Sequence, residues 1–269
     1  MNPGLFFKEM KKGLLSLLLW MAVVVLLISV TMSMYRTFVE NQTKVLGMMN
    51  LIPKGALQFK GVSNFSDLFS VMGFYSVNNV IYMMVLGSIY AIVVSSNVLL
   101  KEEYGKTADY LLSWPVTRRE VFTSKLAAVF LGIFLLNLVA SAAGIISIEV
   151  VKTEPFSIKP FIVLSFYTFL LNILFGSAGI FLSVLIRKPR PITTFCIGLV
   201  LIFYFLFTLS KITEKASVIG YLSPFKYVNT DAMKPGYTIE LWRVVFFMGL
   251  SLLFIVSGYR VYRRKDIYL

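Results

Sequence analysis

The sequence of 269 residues contains no histidine and only one cysteine. Without histidine, the chain cannot form an imidazole metal site, a Ser-His-Asp triad or a histidine proton relay. The single Cys196 excludes an intrachain disulfide and a multi-thiolate metal site within one copy. A GxxxxGK[ST] loop is also missing, so the chain has no P-loop nucleotide site. These absences exclude much of the chemistry that enzymes use.

Charged residues are scarce as well. They make up 14% of the chain, whereas apolar residues make up 58%, and the mean hydropathy is +0.80. A soluble domain has far more charge. The net charge of +13 is spread among long apolar stretches, so nucleic acid is not a predicted partner. The composition therefore predicts an integral membrane protein surrounded by lipid.

Six segments are long enough to cross a bilayer, because a hydrocarbon core of roughly 30 Å requires about 20 mostly apolar residues. The only charged residues inside them are Arg243 and Arg260, near opposite ends of the last segment, where long side chains reach the headgroups. We therefore predict an all-α fold with a single transmembrane domain over residues 1–269. The predicted spans are residues 13–35, 77–100, 126–148, 160–186, 192–210 and 241–261.

The termini and the connections between the predicted spans fall into two sets that differ in their density of Lys and Arg. One set holds 15 Lys and Arg in 52 residues, and the other holds 11 in 85. Because loops rich in Lys and Arg stay in the cytoplasm, the denser set is predicted to be cytoplasmic, together with both termini. The denser set comprises residues 1–12, 101–125, 187–191 and 260–269.

Three connecting segments carry apolar residues that are predicted to lie at the membrane surface. The outer connections at 36–76 and 211–240 are expected to fold as short interfacial or re-entrant pieces, because bare backbone cannot face lipid. The N-terminal segment predicts an interfacial elbow helix that leads into the first span. Its apolar residues are Phe6, Phe7 and Met10, and its basic residues are Lys8, Lys11 and Lys12.

The long cytoplasmic loop, residues 101–125, predicts two short helices around Pro115. Thr117 and Glu120 have the spacing of a capping box and predict the start of the second helix. In the first helix, four residues share one apolar face opposite Lys106 and Asp109. We call this face the loop stripe: Tyr104, Ala108, Leu111 and Leu112. A partner protein or the bilayer surface would cover it equally well.

The string KTADYLLSWPVTRREVFTSK, residues 106–125, resembles the intracellular loop of ABC type-2 permeases, the membrane subunits of one group of ATP-binding cassette exporters. Lys106 departs from the pattern, since many members have Gly and Thr adjacent there. The segments YLSPFKY, residues 221–227, and RRKDIYL, residues 263–269, are similar to the family's outer segment and basic tail. The matching loop residues are Glu102, Glu103, Gly105, Thr107, Leu111, Leu112, Pro115, Val116, Thr117, Arg118 and Lys125.

The resemblance implies an ABC-2 exporter fold whose loop helices dock on a separate cytoplasmic ATPase. ATP and Mg would then be bound by that ATPase, with no cofactor and no catalysis in this chain. It also implies two ATPase copies and a second permease chain, identical or not, in a cell membrane such as a bacterial plasma membrane. The implied docking residues are Glu102, Glu103, Tyr104, Gly105, Thr107, Ala108, Leu111, Leu112, Pro115, Arg118 and Arg119.

Neutral polar residues on two spans are candidates for lining a substrate path. On the second span, Asn79, Gly87, Tyr90 and Asn97 project within about 80° of one another. The alternative is that such residues are hydrogen-bonding contacts between helices. Small residues at Ala140, Gly144, Gly176 and Gly179 are instead interpreted as helix-packing points. The fifth span contributes Thr194, Tyr204 and Thr208 to the path.

Together these features predict a permease subunit that exports a hydrophobic or amphipathic molecule, such as a drug, a lipid or a small peptide. The spans lack the ionisable relay typical of proton- or sodium-coupled carriers. The alternatives are an integral-membrane enzyme and a channel or scaffold without an ATPase partner. An enzyme would need clustered acids, His or Cys at one depth. A channel or scaffold without an ATPase partner would not require the apolar loop stripe.

Overall fold

The structure, a computed structural model, describes residues 2–49, 68–100, 117–153, 155–186, 189–212, 214–230 and 237–264. These residues form α-helices joined by short connections, with two 3₁₀ helices before the last one. The α-helices are α1 (Pro3–Ser33), α2 (Tyr35–Glu40), α3 (Gln42–Met49), α4 (Val71–Val98), α5 (Arg118–Val151), α6 (Ile158–Leu185), α7 (Pro189–Ile212) and α8 (Leu241–Arg264). The 3₁₀ helices are Glu214–Leu222 and Pro224–Tyr227.

Within the described ranges, six helices are long and apolar enough to cross a membrane: α1, α4, α5, α6, α7 and α8. Each predicted span overlaps one of them, and the predicted all-α class is confirmed. Helices are expected here because a segment in lipid must satisfy every backbone N–H and C=O within itself.

The N-terminal segment differs from its prediction, because no separate elbow helix precedes the first span. Phe6, Phe7 and Met10 lie in the first turns of α1, which continues without interruption to Ser33. Asn2 caps its start, since its Oδ1 accepts hydrogen bonds from the N–H groups of Gly4 and Leu5 at 3.0 and 3.4 Å. After the first turn, Gly13 is the one glycine up to Ser33, and an isolated glycine is tolerated in a helix.

Helix α4 lies at the centre of the bundle and packs against α6, α5, α7 and α1. Helix α8 packs mainly on α6, so α1, α7 and α8 keep their outer faces exposed. Small residues allow the closest approaches, as predicted for packing points. Gly144 faces the Tyr75 ring, Gly176 faces Ile133, and Gly179 faces Ser95. These glycines therefore let the helices approach one another closely around the apolar core.

Replacing Gly179 with alanine is expected to destabilise the bundle by about 1–3 kcal/mol, because the new Cβ overlaps neighbouring atoms. The Cβ would lie 2.6 Å from the backbone carbonyl oxygen of Ile92 and would also meet Ser95 Oγ. Gly249→Ala is the matched control, since nothing lies within 4 Å of its Cβ position. Unfolding of the purified variants in mixed detergent micelles measures both effects. Equal stability of the two variants would show that the α4–α6 contact is looser than described.

The helix ends gather into two groups at opposite ends of the bundle. At one end, Asn2 at the start of α1 bonds Ser124 near the start of α5. Asn97 near the end of α4 bonds Thr193 near the start of α7. At the other end, Tyr35 bonds the Phe69 carbonyl and Tyr167 receives a hydrogen bond from Glu240 N–H. The first group carries the connections that charge assigns to the cytoplasm, so we call it the inner end.

At the opposite, outer end, the chain folds back along α7. Ser223, between the two 3₁₀ helices, donates its hydroxyl to the Phe203 carbonyl at 2.7 Å. Phe203 precedes the last residue of α7 by nine positions, so this contact lies about 13 Å below the end of that helix. Phe225 is fully buried beside Phe175 and Phe207. The segment thus returns toward the bundle centre, as a re-entrant piece does.

Candidate functional site

The predicted capping box at the start of α5 is confirmed. Thr117 Oγ1 accepts a hydrogen bond from Glu120 N–H at 3.2 Å, and Glu120 Oε2 accepts one from Thr117 N–H at 2.9 Å. These two bonds satisfy orphan donors of the first turn, which fixes where the helix begins. Helix α5 then runs for 34 residues from Arg118 to Val151. The end of the cytoplasmic loop and the third span therefore form one rigid element.

The first turns of α5 are attached to the last turns of α8. The Arg118 guanidinium donates to the Arg263 carbonyl at 3.3 Å, a group left without a partner inside its own helix. The Phe122 ring lies 5.3 Å from the Tyr259 ring and 5.7 Å from the Tyr262 ring. Arg119 lies on the exposed side. Of the two predicted docking arginines, Arg118 is thus bonded to the inner end of α8, while Arg119 is exposed on the same turn.

The same turns of α5 are attached to α1 and α4. Asn2 N–H donates to Ser124 Oγ at 2.8 Å, and that hydroxyl donates to the Asn2 carbonyl at 3.1 Å. Lys125 Nζ donates to the Val98 carbonyl at 2.6 Å and lies 3.8 Å from Glu9 Oε1. Val98 is the last residue of α4, where a cation complements the free carbonyls of the helix end. The start of α5 therefore joins three helices.

Lys125 is 1% exposed, although lysine at the end of a span ordinarily reaches the headgroups. Its burial is compensated by the Glu9 carboxylate and by the carbonyl of α4. The sequence identified Lys125 only as a loop residue, because its partners come from two other helices.

Most of the predicted docking residues lie outside the described residues. Arg118 and Arg119 are described, at the first turn of α5. The loop stripe and its neighbours keep the roles that the resemblance implies as predictions. The docking residues outside the described ranges are Glu102, Glu103, Tyr104, Gly105, Thr107, Ala108, Leu111, Leu112 and Pro115.

The predicted path residues of α4 face different neighbours. Asn79 is fully buried, and within the described part of the chain neither of its amide atoms has a hydrogen-bond partner. The Tyr90 ring lies 6.0 Å from the Trp20 ring of α1, while Gly132 of α5 leaves room for its hydroxyl. Asn97 Nδ2 donates to Thr193 Oγ1 of α7 at 3.1 Å. Asn79 is thus a buried polar group with unused hydrogen-bonding capacity.

The predicted path residues of α7 lie at two levels of the helix. Thr194 is exposed near the inner end. Tyr204 is half-buried and its ring packs edge-on against Phe225 at 5.7 Å. Thr208 is buried, and its hydroxyl donates to the Tyr204 carbonyl at 2.7 Å. Tyr204 and Thr208 therefore lie together beside the returning outer segment, whereas Thr194 lies with Asn97 at the inner end.

Sequence reasoning missed a hydrogen-bonded network in the middle of the bundle. Ser88 of α4 donates to Asn172 Oδ1 of α6 at 3.2 Å, and Asn172 Nδ2 donates to Asn137 Oδ1 of α5 at 3.2 Å. Gly87 makes room for the Asn172 amide. Since Asn is unusual in an apolar span, Asn137 and Asn172 were a signal for this network, but their pairing depends on the tertiary packing.

A second cluster missed by sequence reasoning surrounds Glu240 at the outer end. Its Oε2 accepts hydrogen bonds from Arg243 at 3.0 Å and from Trp242 at 2.7 Å, and its Oε1 accepts one from Asn229. The hydrogen bond from Arg243, assisted by those from Trp242 and Asn229, holds the pKa of Glu240 below its ordinary value. Arg243 also donates to the Tyr227 carbonyl. This cluster ties the returning segment to the start of α8.

Among the described residues, six helices are long and apolar enough to span a membrane, which defines the class of multi-pass membrane proteins. A family model described as ABC-2 family transporter protein matches residues 5–267, and the chain belongs to this family. No curated protein matches the chain. Membership makes the chain a transport component rather than a catalyst, and it implies partnership with an ATP-binding cassette ATPase. The resemblance found from the loop residues is confirmed.

Proposed function

We propose that this chain is the membrane-spanning permease subunit of an ATP-driven exporter, and that it docks an ATPase through residues 101–119. The observation that carries the proposal is the start of α5. The last residues of the loop form the first turns of this helix, and these turns are bonded to α1, α4 and α8. A displacement of the loop would therefore move three helices together, as a coupling element must.

The assembly would contain two permease chains and two ATPase subunits, because ATP-binding cassettes work as pairs. ATP and Mg would be bound by the ATPase. The cargo would be a hydrophobic or amphipathic molecule, since the predicted spans lack charged residues away from their ends. A bacterial plasma membrane is the proposed location.

Co-purification tests the proposed docking. The tagged full-length chain, extracted from its own membranes in mild detergent, is expected to retain an ATP-binding cassette ATPase in roughly equal amount. The retained subunit should hydrolyse ATP, and the chain separated from it should not. A chain that purifies without any ATPase and still moves a hydrophobic probe would support a channel instead.

The substrate path is tested by Asn97→Leu and Tyr204→Ala. If these side chains contact the cargo, each change is expected to slow transport about two- to thirteenfold, the range that corresponds to one hydrogen bond of about 0.5–1.5 kcal/mol. Asn78→Leu is the matched control on α4, because Asn78 donates only to the Phe74 carbonyl of its own helix among its described bonds. Transport is measured in vesicles at equal amounts of assembled complex. Unchanged rates for Asn97→Leu and Tyr204→Ala would assign both residues to helix packing.

A further inference from the structure

A cavity of about 100 Å³ lies between α1, α4 and α5 at the inner end. One end of it is lined by charged residues, Glu9, Lys12 and Lys125. The other end reaches Tyr90 and Gly132, and apolar residues such as Leu17, Val94 and Val129 form the walls between. The cavity is therefore amphipathic along its length. It is separate from the Asn97–Thr193 contact, which faces α7.

The cavity is oriented like a lipid in the bilayer, with its charged end at headgroup level and its apolar part toward the hydrocarbon core. Lys12 immediately precedes the predicted first span, so the charged end lies at headgroup level. From there the lining extends along α5 from Lys125 to Gly132, about 10 Å, toward the hydrocarbon core. Its volume is comparable to that of cavities that admit a small apolar molecule, so it accommodates part of an acyl chain.

The rim of the cavity is open at Gly13. This residue lines the cavity, is exposed, and has nothing within 4 Å of its Cβ position. Open space therefore lies where a side chain would stand, and a bulky residue at this position would fill that part of the rim. At the far end, Gly132 keeps the cavity open, because a Cβ at this position would lie 2.9 Å from the Tyr90 hydroxyl and would narrow the space between them.

The charges at the rim favour an anionic headgroup. Lys8, Lys11 and Lys12 are exposed on the first turns of α1, and Lys125 adds a fourth cation, whereas Glu9 is the one carboxylate that lines the cavity within the described ranges. Because Lys125 is already engaged by Glu9 and the Val98 carbonyl, Lys12 is the cavity-lining cation placed to meet a phosphate. Basic pockets between helices on the cytoplasmic side suit anionic lipid headgroups in this way.

We propose that this cavity is a binding site for an anionic amphiphile, with its acyl chain between α1, α4 and α5 and its phosphate beside Lys12. The ligand could be a resident membrane phospholipid or the cargo itself, because both present the same chemistry. Binding is measured on the chain without an ATPase, so the result is independent of the proposed exporter function.

The test uses the full-length chain, delipidated in detergent and incubated with phosphatidylglycerol or with phosphatidylcholine of the same acyl chains. Native mass spectrometry counts the retained lipid. Phosphatidylglycerol is expected to be retained about fivefold more tightly than phosphatidylcholine, the effect of roughly one cation at an anionic surface. Gly13→Leu should abolish this preference by filling the rim, and Lys12→Gln should reduce it about fivefold.

Two variants serve as matched controls. Gly249→Leu makes the same change at an exposed glycine of α8 with nothing within 4 Å of its Cβ position. Lys12→Arg keeps the charge. Both are expected to retain phosphatidylglycerol like the unaltered chain. Equal retention of the two lipids, or full retention by Gly13→Leu, would overturn the proposal.

A second assay distinguishes a resident lipid from cargo. It uses vesicles that contain the chain, its ATPase and labelled phosphatidylglycerol. If the lipid is cargo, ATP drives its movement to the other leaflet and Gly13→Leu slows that movement at least fivefold. If the lipid is resident, it stays in place and instead raises the thermal stability of the chain, except in Gly13→Leu. Either pattern supports the site. Identical behaviour of Gly13→Leu and Gly249→Leu in both assays would contradict it.

Discussion

Replacing Leu111 and Leu112 together with aspartate is expected to release the ATPase and abolish ATP-driven transport. The two leucines form half of the loop stripe, and burying two carboxylates in an apolar contact is unfavourable. Truncation at the centre of such a contact typically costs at least about 2 kcal/mol, roughly 30-fold in affinity, and two charges should exceed this. The measurement is the amount of ATPase that co-purifies with the variant.

The control for this result is Lys106→Asp, which places a carboxylate on the opposite face of the same predicted helix. It should leave most of the ATPase bound. The bundle itself should remain folded in the double variant, because the capping box at Thr117 starts α5 without help from the stripe. If the double variant retained all of its ATPase, the result would indicate that the loop stripe lies on the bilayer surface and not on the ATPase.

Lys125→Ala is expected to destabilise the bundle by about 3–5 kcal/mol, the range for breaking a buried ion pair by removing one partner. The substitution removes the cation beside Glu9 and the donor to the Val98 carbonyl at the end of α4. Unfolding in mixed micelles gives the change in free energy. Lys11→Ala, an exposed lysine on α1, should change stability by less than about 0.5 kcal/mol.

A double variant distinguishes lost pairing from lost packing. Lys125→Met with Glu9→Gln removes both charges while keeping side chains of similar length, so stability should recover in part. The single variant should also weaken the link between the loop and α1, because the Asn2–Ser124 contact lies in the same turn. No loss of stability in Lys125→Ala would show that Lys125 reaches water despite its buried position.

The features that the sequence predicted correctly are local. Apolar length identifies the six spans, because the bilayer sets a minimum length and excludes other structures. The cap formed by Thr117 and Glu120 depends on a three-residue spacing, so the order of residues along the chain is sufficient to identify it. Gly179 is predicted as a packing point because small residues permit close approach of helices.

The features that the sequence did not predict depend on which helices become neighbours. The burial of Lys125 requires Glu9 and Val98, which come from α1 and α4. Similarly, Asn172 pairs with Asn137 only because α5 and α6 meet at that depth. Tyr90 and Asn97 share one side of an isolated helix, yet they face α1 and α7 because α4 is surrounded. The expected elbow helix was wrong because nothing between Asn2 and Ser33 interrupts α1.

The central claim is that motion of a partner ATPase reaches this bundle through the start of α5. Its most direct test is transport of a fluorescent amphiphile by the purified chain in sealed vesicles, with and without the co-purified ATPase and ATP. Transport is expected only when both are present, and Leu111→Asp with Leu112→Asp should remove it. Equal transport by the chain alone, unchanged by ATP, would contradict the claim.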